Sequence, residues 1–467
     1  MANQKPNVIL INCDDMGYGD LGCYGSTCNK TPCIDMLANE GIQLMSCYAS
    51  SPVCSPSRAS LMTGCYPPRL GINRVLFPGE KYGLNKEEYT LPQMFHECGY
   101  KTMIVGKWHC GDQKEFLPTA FGFDDYYGLP YSNDMGMQRG REDFTKFPPL
   151  PLMANNEVIE EQPDQKSLTE RYVEQCTRFI RTSAKGNHPF FLYFAHMHVH
   201  LPLYAQDRFV NGSQNGDFGA CMEEVDWSCQ CLIEELKKNK IYEETLIIFT
   251  SDNGSRADHG ASNGILRGTK FYTWEGGMRV PCIFHWKGVL QEGIVNDSIC
   301  SHIDFLPTLA HFLGFSLEGK KTIDGIDLYR TIMKNQDVRT EYAYYGPNRG
   351  DERTGYLCAV RQKNWKLHCQ RINRNSPGYA IYEPVYELYD LEKDIGESVN
   401  LVSEYPDVAE RMTKIYGKYM TLLGDESHKI MGEGCRDPGI VENPITLTTY
   451  NENFPYIIAL YDKDEQG

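Results

Sequence analysis

Asn7-Val8-Ile9-Leu10-Ile11-Asn12-Cys13-Asp14-Asp15 is a short, largely apolar run that stops on two adjacent carboxylates. A run of this length without polar alternation reads as a strand buried on both faces, as in a parallel sheet covered by helices. In open α/β sheets, functional groups collect beyond the carboxyl ends of such strands. Asp14 and Asp15 are thereby delivered to the edge where a site forms. The same pattern recurs downstream: 100–105 closes on Gly106-Lys107-Trp108-His109, 189–195 on His196-Met197-His198-Val199-His200, and 245–250 on Ser251-Asp252-Asn253-Gly254. Between these runs, 31–41, 167–183 and 220–238 have helical character, 43–48 reads as a strand, and 56–63 as a helix stopped by Gly64. Strands alternating with helices predict an α/β fold, with a large, mostly parallel sheet sandwiched between helices.

Past about residue 345 the pattern changes, with 356–360, 365–369 and 386–390 reading as short strands of a meander and 405–423 as a helix. The expected organisation is a catalytic domain over 1–345 and a small C-terminal α+β subdomain with an antiparallel sheet over 346–467, the boundary falling between 330 and 350. A chain of 467 residues has room for both.

The net charge of −16 argues against nucleic acid or an anionic membrane as the main partner, since both demand basic patches. No apolar run reaches membrane-spanning length. The first seven residues hold no apolar signal core, and the 18 cysteines are scattered without regular spacing. These features predict reduced thiols and a cytoplasmic location, with a secreted or periplasmic one as the alternative if a signal peptide has been removed. Cys229-x-Cys231 lies on a predicted helix, where residues two apart face different ways, and is read as structural.

The most specific stretch is Cys54-Ser55-Pro56-Ser57-Arg58-Ala59-Ser60-Leu61-Met62-Thr63-Gly64. It places a thiol at a helix start, with Pro56 in the first turn and Arg58 one turn on. A helix N-terminus favours a developing anion. On residue types alone, a buried structural cysteine beside an ordinary helix start explains it equally well. Asp14-Asp15 and Asp252-Asn253 offer oxygen ligands of the kind a hard cation takes, although an isolated Asp-Asp pair is more often a solvated loop.

Cys54-x-Pro56-Ser57-Arg58 with Ala59-Ser60-Leu61-Met62-Thr63-Gly64 resembles the signature of the type I sulfatases, and the order of the remaining motifs resembles that family across most of the chain. The resemblance implies an alkaline-phosphatase-like fold and a Cys54 oxidised after synthesis to formylglycine by a maturase. It implies Ca²⁺, with Mg²⁺ the lesser candidate, held by Asp14, Asp15, Asp252 and Asn253 and faced by the modified Cys54. Lys107 would contact the sulfate and His109 the aldehyde hydrate, and Lys270, in Gly268-Thr269-Lys270, would bind a sulfate oxygen or help the leaving group depart. His200, before Leu201-Pro202, matches the family's acid, with His196 and His198 as alternatives. Arg279, after the Gly276-Gly277 turn, would support this set by ion pairing.

The implied mechanism is attack on sulfur by one hydroxyl of the aldehyde hydrate, activated by metal and Arg58, to give a covalent sulfo-enzyme. His109 would deprotonate the second hydroxyl to expel sulfate, and His200 would protonate the departing alcohol. Gly128-Leu129-Pro130-Tyr131-Ser132-Asn133-Asp134 resembles a loop of the arylsulfatase A and N-acetylgalactosamine-6-sulfatase-like branch. That points to a sulfated sugar, such as galactose or N-acetylgalactosamine 6-sulfate, or to an aryl sulfate. Tyr131, Asn133 and Asp134 are then candidate sugar contacts, though a solvated turn explains them as well. Two alternatives stand beside this reading: a phosphate monoester or phosphonate hydrolase of the same superfamily, and a sugar-binding relative without turnover.

Overall fold

In the computed structural model, which describes residues 5–137, 147–348, 350, 353–376 and 379–448, Asn7–Cys13 is a strand buried along its whole length. Its side chains divide between two cores as a two-residue period dictates. Ile9, Ile11 and Cys13 point into one cluster with residues of the Leu168–Gly186 and Gly216–Lys238 helices. Val8 and Leu10 point into another with residues of the Cys54–Thr63, Leu91–Glu97 and Phe305–Leu313 helices. A strand with an apolar core on each side has no polar face to show, which is why its sequence does not alternate.

This strand lies at the middle of an eleven-stranded sheet. Thr245–Ser251 and Phe190–Ala195 flank it in parallel, followed by Lys101–Gly106 and Asp125–Gly128, also parallel. Toward the edges antiparallel pairs take over: the Pro151–Ala154 and Glu157–Glu161 hairpin on one side, Cys282–His285 and Ile42–Tyr48 on the other. Four parallel strands therefore end together on Asp14, Lys107, His196 and Asp252. The sequence pattern marked these four strands and Ile42–Tyr48, whereas the 151–161 hairpin and Cys282–His285 carry no comparable signal.

A second, four-stranded antiparallel sheet runs in order Glu341–Gly346, Tyr356–Gln362, Trp365–Ser376 and Tyr379–Asp390, backed by the Pro406–Leu423 helix. The chain then returns to the larger unit, where Gly439–Ile440 pairs with Tyr82–Gly83. Among the described residues, no helix is long and apolar enough to cross a membrane. All 18 cysteines are free thiols, Cys229 and Cys231 included.

Candidate active site

The Cys54–Thr63 helix begins at Cys54 and ends at Gly64, whose φ of 70° is the left-handed cap glycine favours. Every residue of the helix is buried, including Arg58. Arg58 Nε donates to Asp252 Oδ2 at 2.8 Å, Nη1 donates to the Lys107 carbonyl at 2.8 Å, and Nη2 lies 3.6 Å from Asp14 Oδ2. The Ser57 hydroxyl donates to the Asp252 carbonyl at 2.5 Å. The first turn of this helix is thus bolted to three of the strand ends.

Asp14 Oδ2 accepts from Lys107 Nζ at 2.5 Å, and Lys270 Nζ reaches both oxygens of Asp15 at 2.7 Å. Asn253 Nδ2 donates to Asp15 Oδ1 at 2.8 Å, and the Asp15 amide donates to Asp252 Oδ1 at 3.2 Å. Asp15 and His109, with φ of 58° and 62°, sit in a region non-glycine residues rarely adopt and that clusters at functional sites. Burial alone would raise the Asp14 carboxyl, but Lys107, His200 and Arg58 hold it well below the usual carboxylate range. Burial and the neighbouring Asp14 push Asp252 the other way, up to about 7.

The donor set fits a hard cation. Asp14 Oδ1 and Asn253 Oδ1 are buried acceptors with no hydrogen-bond partner. With Asp15 and Asp252 they make an oxygen-only group of the kind Ca²⁺ or Mg²⁺ takes. His200 is also close, with one ligand atom from each of Asp14, Asp15 and His200 lying within 4.8 Å of one another.

The two histidines are held in different ways. His109 Nε2 lies 2.9 Å from the Leu76 carbonyl, which only accepts, so Nε2 carries the hydrogen. Nδ1 is then a bare lone pair, buried and without a partner. Burial and Lys107 keep this ring neutral, its pKa well below the ordinary histidine value. His200 Nδ1 is 2.6 Å from the Leu201 carbonyl, which leaves Nε2 facing Asp15 Oδ2 at 3.7 Å and Ser132 Oγ at 3.5 Å. His198 turns away and pairs with Glu224 at 3.1 Å behind the site, while its carbonyl accepts from the Asp14 amide at 2.8 Å. His196 stacks on His198.

Burial raises the Cys54 thiol, with Lys107 and Lys270 only partly opposing it. The unmodified thiol is therefore not poised as a thiolate.

The structure thus brings Asp14, Asp15, Arg58, Lys107, His200, Asp252, Asn253 and Lys270 into one network at the start of the Cys54 helix. His109 joins through Leu76, whose amide donates to Ser55 Oγ at 3.1 Å. Among the described residues, the hydrogen bonds seen for Tyr131, Asn133 and Asp134 do not run to this network. Tyr131 is buried, and Asn133 Nδ2 is engaged by Gln165 and the Pro202 carbonyl. Their neighbour Ser132, not singled out in the sequence, accepts from Lys107 Nζ at 3.2 Å. A hydroxyl in a mixed loop gives no signal of its own. Arg279 pairs with Glu275 at 3.4 Å and donates to the Met45 carbonyl, away from the carboxylates.

The family model described as Sulfatase matches residues 6–315, and the model described as N-sulphoglucosamine sulphohydrolase, C-terminal, matches 269–421. Arylsulfatase A of Homo sapiens is 35% identical over 431 residues, covering 85% of this chain and 84% of the relative. N-acetylgalactosamine-6-sulfatase of Canis lupus familiaris is 36% identical over 466 residues, covering 90% and 87%. Among solved structures, Ps i-CgsB in complex with k-i-k-neocarrahexaose superposes with a TM-score of 0.80 at 30% identity, covering 92% of this chain and 95% of that one. The alkaline-phosphatase-like arrangement expected from the motifs is the one observed, and the chain belongs to the sulfatase family, hydrolysing sulfate esters.

Proposed function

We propose that the chain removes sulfate from a sulfated sugar, with galactose or N-acetylgalactosamine 6-sulfate as the leading candidates, and that Cys54 acts as formylglycine after maturation. The observation that carries the chemistry is the convergence of Lys107, Lys270 and Arg58 on Asp14, Asp15 and Asp252 beside the helix that begins at Cys54. The sugar reading is supported by similarity to N-acetylgalactosamine-6-sulfatase and to a structure holding a neocarrahexaose.

Asp14, Asp15, Asp252 and Asn253 would hold Ca²⁺, which when bound would supply positive charge beside the sulfate, and position 54, once oxidised to formylglycine, would supply a hydroxyl nucleophile for sulfur. Lys107 and Lys270 spread further positive charge over the sulfate oxygens, where a buried donor counts for more than in water. Arg58 fixes Asp252 relative to the helix start. His109 is poised to take a proton at Nδ1, and His200 to deliver one at Nε2 to the leaving alcohol. Of the loop that carries Ser132, half-buried Asp134 is the residue left to meet the sugar, while Tyr131 and Asn133 are buried and support the loop from beneath. With Cys54 converted, the other 17 cysteines stay unpaired, which supports a reducing compartment, the cytoplasm.

Mass spectrometry of the Cys54 peptide from the native host tests the modification: an aldehyde is expected, and thiol throughout overturns it. Parallel assays on aryl sulfate, aryl phosphate and N-acetylgalactosamine 6-sulfate test the chemistry. A higher kcat/KM on phosphate sinks the assignment of these residues to sulfate transfer, and no turnover of the sugar sulfate sinks the sugar.

A further inference from the structure

Lys270 enters the site from a loop, not from a strand end. Toward the large sheet, the Lys270 amide donates to the Ser255 carbonyl at 2.7 Å and the Phe271 amide to the Pro52 carbonyl at 2.9 Å. The loop then doubles back on itself through Gly276 and Gly277. A Cβ at these positions would lie 2.3 Å from the Gly268 carbonyl oxygen and 2.0 Å from that of Tyr272, so only glycine allows the fold-back.

The other side of the loop is held by the small sheet. Lys366 and His368 come from the Trp365–Ser376 strand, and Glu397 follows Tyr379–Asp390. Lys366 Nζ donates to the Thr273 carbonyl at 3.0 Å and to Glu275 Oε1 at 2.9 Å, and lies 3.0 Å from Glu397 Oε1. Glu397 Oε2 accepts from the Glu275 amide at 2.8 Å, and its carbonyl accepts from Arg267 Nη1 at 2.5 Å. His368 Nε2 contacts Glu397 Oε1 at 2.7 Å, and its ring packs on Trp274 with centroids 4.3 Å apart. Lys366, Glu275 and Glu397 are fully buried. Glue between two sheets needs only contacts from surface to surface. These contacts go instead to the backbone and side chains of 267, 273, 274 and 275, on both sides of Lys270 in sequence.

We propose that Glu397, Lys366 and Glu275 are positioning residues for Lys270, and that the small sheet clamps its loop in the reactive arrangement before substrate arrives. Glu275 gives the clamp its fixed end, since its other oxygen accepts from the Tyr48 hydroxyl at 2.6 Å on the large sheet. A charged donor helps a transition state only if it is in place without reorganisation, and a free loop would have to be ordered at each turnover. The inference rests on the reading of Lys270 as a sulfate contact.

The test uses the mature full-length enzyme with calcium and an aryl sulfate, at a temperature well below the Tm of every variant. Glu397→Gln, Lys270→Ala and their combination are compared for kcat and KM, with Glu275→Gln as a second clamp variant should Glu397→Gln not fold. Lys270→Ala is expected to lower kcat by about 100-fold, in the range for a lost transition-state donor. Glu397→Gln is expected to lower kcat about tenfold with KM moving less than about twofold, as for a misplaced group. In the Lys270→Ala background it should cost less than about twofold, because the clamp then has nothing to position. The same tenfold loss in both backgrounds, or no loss in kcat, overturns the clamp alone. An unaffected Lys270→Ala enzyme overturns the reading of Lys270 and the clamp with it.

Discussion

At the strand ends, Asp14, Asp15 and Asp252 face Lys107, Lys270 and Arg58; between the two sheets, Glu275 and Glu397 face Lys366, Arg279 and Arg361. Both clusters are buried, and both mix carboxylates with cations. They differ in what is left over. In the first, Asp14 Oδ1, Asn253 Oδ1, Arg58 Nη2 and His109 Nδ1 have no hydrogen-bond partner. In the second, Glu275 accepts from Tyr48, Tyr344 and Lys366, while Lys366 is shared between two carboxylates and a carbonyl. None of the charged side chains in the second cluster leaves a buried polar atom orphaned among the described residues. Orphaned buried polar atoms cost stability, and where several of them converge with buried charges, as here, a ligand can complete them. A satisfied cluster has no such capacity and acts by holding other groups in place, here the two sheets and the Lys270 loop.

The largest expected effect breaks the comparison at the first cluster. Cys54→Ala should lower kcat by about 10⁵-fold, the scale of losing a nucleophile, with Tm unchanged because no polar contact of the cluster passes through the thiol. A fall in Tm with residual activity would place Cys54 among the structural residues instead. Lys366→Met does the converse. It takes the shared cation from Glu275, which keeps Arg279, and from Glu397, which keeps only His368 and an amide, and should destabilise the fold by about 3 kcal/mol in chemical denaturation. A change below about 1 kcal/mol would show that the second cluster is not the architectural one.

Acid separates the clusters next. Burial pushes the Glu275 carboxyl up, but Lys366, Arg279 and Arg361 override it and hold it at about 2 against an ordinary 4.5. A depressed carboxyl gives stability that is complete above 4.5 and is lost as pH falls from 4.5 toward 2, here about 3 kcal/mol. The wild-type unfolding energy should slope downward across that window, and the slope should flatten in Lys366→Met. An identical slope in both would assign it to other carboxylates. The proposed calcium would act on the first cluster only. Added at about 100 times its Kd it should stabilise the metal-free protein by about 2.7 kcal/mol. Asp252→Asn should blunt that response, whereas an unchanged response would put the cation elsewhere.

The contrast also explains what could be read without coordinates. The Asn7–Cys13 strand and its parallel neighbours were legible because burial on both faces leaves an unbroken apolar run, and a run that ends on Asp14, Lys107 or Asp252 marks its own functional edge. The Cys54 helix was legible from Pro56 in its first turn and Gly64 at its stop. Glu397 and Lys366 carried no signal, since a lone glutamate in a turn and a lone lysine on a strand look solvated until the chain places them 3.0 Å apart. The Glu341–Gly346 strand falls where the pattern changes, and nothing local says which sheet it joins. The bare Nδ1 of His109 depends on the carbonyl of Leu76, 33 residues away in a loop without a motif. Local periodicity reports burial; long-range charge pairing leaves no trace in it.

Ser132 gives the smallest expected effect and the finest cut. Its hydroxyl accepts from Lys107 Nζ at 3.2 Å and lies 3.4 and 3.5 Å from the two nitrogens of His200. It therefore sits between a group proposed to hold the sulfate and one proposed to serve the leaving alcohol. Ser132→Ala removes one neutral partner and leaves Lys107 paired with Asp14, so stability should change by no more than about 1 kcal/mol. The loss should fall on kcat, about tenfold, and should be larger for a sugar sulfate, whose poor leaving alcohol needs the proton, than for an aryl sulfate, whose phenolate departs without one. Equal losses on both substrates would tie Ser132 to Lys107 and the sulfate alone, and no loss on either would leave it a structural neighbour of the incomplete cluster.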